Sequence, residues 1–161
     1  MKLRTLLIHP WLVASIIVAT SSCTDYKCND FSEYRRMPPE GWRYADSIKF
    51  EPVHADSLCR GRLVVGITHD DSYRFTELCM EVTHMSDDTL HRDTVRVPVV
   101  DRLGTWTGRG IGSSCQLTDT LAAGVHPSGS LVAVRHIMRT DTLVGVNKVG
   151  LFFVPEKQDG K

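Results

Sequence analysis

Apolar residues recur at every second position in several short segments, and this period of two limits what the chain can fold into more than any other property. Leu63, Val65 and Ile67 fall on one side of such a segment, and Val95, Val97 and Val99 on one side of a later one. Successive side chains of a strand point to opposite faces, so each set marks a half-buried strand. The pattern predicts seven strands, near Ser47–Val53, Arg62–Thr68, Tyr73–Val82, Thr94–Val99, Cys115–Leu121, Ser130–Met138 and Val144–Val154. Polar clusters at His69–Ser72 and Ser86–Asp93, and the Pro127-Ser128-Gly129 stretch, read as turns between them. Pro52 and Pro98 fit edge strands, because proline gives no hydrogen to a ladder. No long amphipathic helix competes for these residues, and no internal repeat appears. An all-β, antiparallel β-sandwich of about seven strands is the expected fold.

The opening segment has a different character. Lys2 and Arg4 precede an apolar run from Leu6 to Ala19 broken only by His9, Pro10 and Ser15. A permanent membrane span needs about 20 consecutive apolar residues, and this run stops at Thr20, Ser21, Ser22 and Cys23. The layout is that of a cleaved signal peptide. Small serines directly before a cysteine suit a lipoprotein peptidase, although Thr20 stands where the usual pattern has leucine. Residues 1–22 are therefore expected to be a lipoprotein signal peptide, with Cys23 the lipidation site; ordinary secretion, leaving Cys23 as a plain thiol, is the alternative. Two or more acyl chains anchor stably where one does not. Residues 23–41 are polar and carry Pro38, Pro39 and Gly41, so they are expected to be a lipidated tether. The sandwich is expected over residues 42–155 and a polar tail over 156–161.

Removing residues 1–22 takes away Lys2 and Arg4 and no acid, leaving 17 bases against 19 acids. A nucleic-acid partner needs a basic face that releases counterions, and this balance offers none. Beyond Cys23 the cysteines are Cys28, Cys59, Cys79 and Cys115. An oxidising compartment permits disulfides among them, with three possible pairings, and buried free thiols are the alternative. None forms Cys-x-x-Cys or has histidine at ligand spacing, so no metal is expected. No cofactor is expected other than the covalent lipid on Cys23.

Leu103-Gly104-Thr105-Trp106-Thr107-Gly108-Arg109-Gly110 has the shape Leu-Gly-x-Trp-x-Gly-x-Gly, and a second block, Arg135-His136-Ile137-Met138-Arg139-Thr140-Asp141-Thr142-Leu143-Val144-Gly145-Val146, follows it. With Trp42 and Phe50 upstream, Tyr73-Arg74-Phe75, and a closing Lys148-Val149-Gly150-Leu151, these blocks resemble the gliding motility lipoproteins of the GldH type from Bacteroidetes. The resemblance runs from about Cys23 to Val154. It departs at His69-Asp70 and Glu77-Leu78, where that family is expected to show an Arg-Asn pair and then Asn-Leu. The resemblance implies a lipid-anchored envelope protein with no known enzymatic activity, associated with the gliding machinery and the accompanying type IX secretion system. Bacteroidetes that do not glide also carry such proteins. Read from the residues, Gly104, Gly108, Gly110 and Gly112 permit backbone angles closed to other residues, with Trp106 expected to fold inward as a loop plug. Arg135 or Arg139 is expected to pair with Asp141 or Glu77. Trp106, Arg109, Arg135 and Arg139 are the candidate partner-binding residues.

No catalytic residue is assigned. Gly108-Arg-Gly-Ile-Gly112 lacks the Lys-Ser/Thr ending and the strand-to-helix setting of a phosphate loop, and Ser113, Ser114 and Ser128 lack a nucleophile elbow. Glu77 and Glu81 are spaced to share a strand face, which leaves an envelope hydrolase as a lesser alternative. A carbohydrate-binding sandwich is the other alternative, with Trp42, Tyr44, Tyr73 and Trp106 as stacking faces. The leading expectation is a non-catalytic accessory lipoprotein that contacts the membrane through its lipid and other envelope proteins through its surface. The membrane leaflet stays open.

Overall fold

The computed structural model describes residues 31–52, 58–111 and 114–156. The expected signal peptide, Cys23, Cys28, Gly112 and most of the expected tail lie outside them. Eleven strands follow in order: β1 (Phe31–Arg36), β2 (Trp42–Arg43), β3 (Ile48–Phe50), β4 (Leu58–His69), β5 (Glu77–Ser86), β6 (Thr89–Pro98), β7 (Arg109–Ile111), β8 (Ser114–Pro127), β9 (Val132–His136), β10 (Thr142–Leu143) and β11 (Val146–Pro155). They build a sheet of order β1-β11-β4-β8-β7, a second of order β3-β9-β5-β6 and a small β10-β2 pair. Every named pairing is antiparallel, as the alternation requires.

The alternation also sets the core. Leu63, Val65 and Ile67 of β4 stand opposite Phe153, Leu151 and Val149 of β11, and all six are buried. Leu78, Met80 and Val82 of β5, with Val95 and Val97 of β6 and Val132 and Val134 of β9, line the facing sheet. The two sets form one hydrophobic cluster, in which each fully buried large side chain contributes about 1.5–3 kcal/mol. Pro98 ends the edge strand β6, and Pro52 follows the edge strand β3.

Two boundaries differ from expectation. The stretch read as tether contains β1, which pairs with β11 from Phe31↔Phe153 to Arg36↔Lys148. Glycine on the neighbouring strand makes room for it: a side chain at Gly150 would collide with the Tyr34 ring, which meets Phe152 edge-on at 5.3 Å. Residues 31–36 are therefore part of the larger sheet, not of a tether. The expected long turn Ser86–Asp93 shrinks to Asp87 and Asp88, both at positive φ (48° and 59°), a hairpin geometry that aspartate tolerates. Thr89–Asp93 joins β6 instead, and Tyr73 lies before β5, not within it.

The strands give the sandwich two ends. The hairpin end holds Asp87-Asp88, the Pro127–Ser130 turn, Leu58 and Pro155, joined by Asp87 N–H donating to Val125 O at 2.9 Å and Leu58 opposite Pro127. The loop end gathers segments 37–41, 70–76, 99–108 and 137–145 beyond His69, Glu77, Pro98, His136 and Lys148.

Candidate functional site

The loop end is built on two aspartates. Asp101 accepts hydrogen bonds at Oδ1 from Leu103 N–H (2.8 Å) and Thr105 N–H (2.9 Å), and its own N–H donates to Thr105 O at 2.8 Å. Gly104 takes φ +83° with open space around it. The closed loop lifts Leu103 to its tip, where the side chain is 90% exposed. Asp70 does the same for the neighbouring segment: Oδ1 accepts from Ser72 N–H (2.9 Å) and Oγ–H (2.5 Å), and Asp70 N–H donates to Gly145 O at 2.9 Å. These hydrogen bonds hold the Asp70 carboxyl below its usual range against the opposing effect of burial. In both turns the aspartate lies two residues before an N–H that it accepts, and only the Asp101 turn adds a glycine at positive φ.

Trp106 does not plug the interior. It bridges to Val100, packs with its ring tilted 47° and 4.6 Å from the buried ring of His69, and stays 37% exposed. His69 fills the interior position that the tryptophan was expected to take. Arg109 on β7 is exposed at the same end, and Arg139 is exposed in the segment after β9. Exposed Phe75 and Val144 share this end; periodicity did not single them out, because a loop carries no period. A depression of about 420 Å³ adjoins Val144, lined also by Arg36, Asp70 and Lys148.

Arg135 lies elsewhere. It is on the outward face of β9, opposite Glu81 of β5, and donates from Nε to Glu81 Oε1 at 2.8 Å. The expected partners Asp141 and Glu77 are not used. Arg92 reaches the same oxygen at 3.7 Å. The hydrogen bond from Arg135 holds the Glu81 carboxyl below its usual range, the opposite of what a general acid requires. Glu77 has Arg96 at 3.9 Å. The two carboxylates thus share an open sheet face, each beside a cation.

Two of the four aromatic residues considered for sugar stacking are interior. Trp42 is 1% exposed and donates from Nε1 to Asp46 O at 3.0 Å, while Tyr73 is 3% exposed and donates from its hydroxyl to Glu77 O at 2.8 Å. Their polar atoms find backbone partners, so the rings serve the core. Tyr44 and Trp106 remain exposed. Among the described residues, no group of three or more His, Cys, Asp or Glu is placed to hold a metal ion.

A family model described as GldH lipoprotein matches residues 29–152. No curated protein matches the chain in sequence. The solved structure of Eiger TNF from S. frugiperda is similar at 12% identity and a TM-score of 0.37, over 82% of this chain and 97% of that one. A likeness so distant carries no functional argument.

Proposed function

The chain belongs to the GldH lipoprotein family, and from that premise we propose a non-catalytic accessory protein of the cell envelope. It is lipid-anchored through Cys23 and uses the loop end of its sandwich to contact other envelope proteins of the gliding and type IX secretion machinery. The observation that carries this reading is the direction of β1, which enters the sandwich at the hairpin end with Phe31 and runs toward the loop end at Arg36. Cys59 is disulfide-bonded. Cys79 is a free thiol. Cys115 stands opposite His69 in the β4–β8 ladder, ten positions from Cys59 and so roughly 33 Å away along the strand. Disulfide partners have Cα atoms within about 7 Å, so the β4–β8 register does not allow Cys115 as the partner of Cys59.

Cys59 lies at the hairpin end, next to Leu58. A chain anchored ahead of Phe31 holds the hairpin end toward the bilayer and turns the loop end away from it. The outward end then presents Leu103, Trp106, Phe75 and Val144 with Arg109 and Arg139 around them. Apolar anchors rimmed by arginine are common at protein contacts, and the aspartate-closed loops arrive already ordered, which lowers the entropy lost on binding.

The test is genetic complementation in a gliding host. Deletion should impair surface movement and type IX cargo secretion, wild type should restore both, and Leu103→Asp should fail although it is folded and membrane-bound. A deletion strain that moves and secretes normally would overturn the proposal.

A further inference from the structure

The outward face of the second sheet has a layout that partner contact at the loop end does not use. One row crosses all four strands: Lys49 of β3 opposite Ala133 of β9, Ala133 opposite Thr83 of β5, and Thr83 opposite Arg92 of β6. The two middle side chains are small, so the row is a trough with a cation at each end, about 14 Å apart at the usual strand spacing. Beside it the next outward row holds Arg135 and Glu81. With Tyr44, Ala45 and Ser47 these residues, Lys49 excepted, line a depression of about 530 Å³, within the size range of small-ligand sites; Lys49 stands past its edge at the end of the same row.

The charge of this face runs against that of the chain. Its outward strand residues include four cations, Lys49, Arg92, Arg96 and Arg135, against two acids, Glu77 and Glu81, whereas the chain after Ser22 has 17 bases against 19 acids. Arg92 is at the rim with its side chain 68% exposed. Tyr44 is 45% exposed, with the Arg135 guanidinium 5.7 Å from its ring centre. Glu81 directs Oε1 to the arginines.

We propose that this trough binds a carboxylate-bearing saccharide: sugar carboxylates on Arg92 and Lys49, a ring against Tyr44, and hydroxyls donated to Glu81 and shared with Thr83 and Ser47. Guanidinium and ammonium groups at the two ends select an anion, and an exposed tyrosine ring supplies an apolar platform with a polar edge. The carboxylate set between the cations decides against a densely acidic peptide. An ionised Glu81 accepts hydroxyl hydrogens and repels a second carboxylate. A ligand that alternates hydroxyls with spaced carboxylates satisfies both halves of the site.

The experiment titrates the mature full-length protein calorimetrically with trigalacturonate, its fully methyl-esterified form and hexaglutamate. Saturable binding of trigalacturonate at least about tenfold tighter than of either control is expected. Arg92→Gln and Lys49→Gln should each weaken it by about tenfold and Tyr44→Ala by a similar factor. These side chains are exposed, so the variants should keep the wild-type fold, while Trp106→Ala should bind as wild type. Absence of saturation with trigalacturonate, equal binding of the methyl ester, or equal binding of hexaglutamate would each overturn the proposal.

Discussion

Phe31 stands opposite Phe153, and Phe153 opposite Leu63, so the edge of the larger sheet is closed by a strand that the sequence presents as linker. Phe31 packs against the core, and Phe153 is buried. β1 also covers the hydrogen-bonding edge of β11, which would otherwise be open to other chains.

A chain beginning at Trp42 should therefore be much weaker than one beginning at Asp30. The expected difference is roughly 10 °C in melting temperature, on the order of 3 kcal/mol for the lost strand, with aggregation of the shorter form. Thermal unfolding followed by circular dichroism checks it; equal melting temperatures would return residues 31–36 to the tether.

Gly145 binds two loops of the loop end together. It has φ +89°, and a Cβ there would sit 2.3 Å from Tyr73 N and 2.5 Å from Tyr73 Cα, backbone atoms that cannot step aside. Gly145→Ala should cost roughly 3 kcal/mol, whereas Gly104→Ala, at φ +83° in open space, should cost only about 1 kcal/mol. Denaturant unfolding of the two variants separates the collision from the backbone angle.

His136 gives the fold an acid-sensitive point. Its Nε2–H donates to Trp42 O at 3.0 Å, and buried Nδ1 has no hydrogen-bond partner among the described residues. Burial holds the imidazole below its ordinary value, with neighbouring Arg135 adding to the effect and the bond to Trp42 opposing it. Between the lowered folded value and the unfolded value of about 6.5, the unfolded chain binds more protons. This contribution to stability is intact above about pH 6.5 and is lost as pH falls from there through the folded value. His136→Gln keeps a donor toward Trp42 and removes the titration. Urea midpoints at pH 7.5 and 5.0 should differ less for this variant than for wild type; equal differences would remove His136 as the cause.

Peptide mapping without reduction should recover the Cys59 peptide in a disulfide-linked pair, with Cys79 free to alkylate. Cys59→Ser should cost about 2–4 kcal/mol, the usual range for a native disulfide. A Cys59–Cys115 link would contradict the β4–β8 register.

The sandwich was readable where strands are half-buried. The valines of β6 and the Leu63, Val65 and Ile67 set of β4 repeat every second residue because one face meets the core. β1 was not, because Phe31-Ser-Glu-Tyr-Arg-Arg36 is an edge strand with one apolar inward residue, and backbone pairing with β11 places it. β2, β7 and β10, of two or three residues each, are too short to show any period. In the candidate site, Trp106 was legible as special from the glycines around it, but its direction depended on His69, a residue 37 positions away in sequence. Arg135 was likewise noticed, while its pairing with Glu81 rests on the β5–β9 register, which local sequence does not encode.

Site-specific photocrosslinking in the native envelope tests the two-ended arrangement most directly. The crosslinker is placed either at Leu103, on the loop end, or at Leu90, 64% exposed beside the Asp87-Asp88 turn of the hairpin end. Crosslinks from position 103 to a discrete envelope protein, with none to protein from position 90, are the expected result. Protein crosslinks from position 90 with none from position 103 would contradict it, since the anchored end would then be the one that meets the partner.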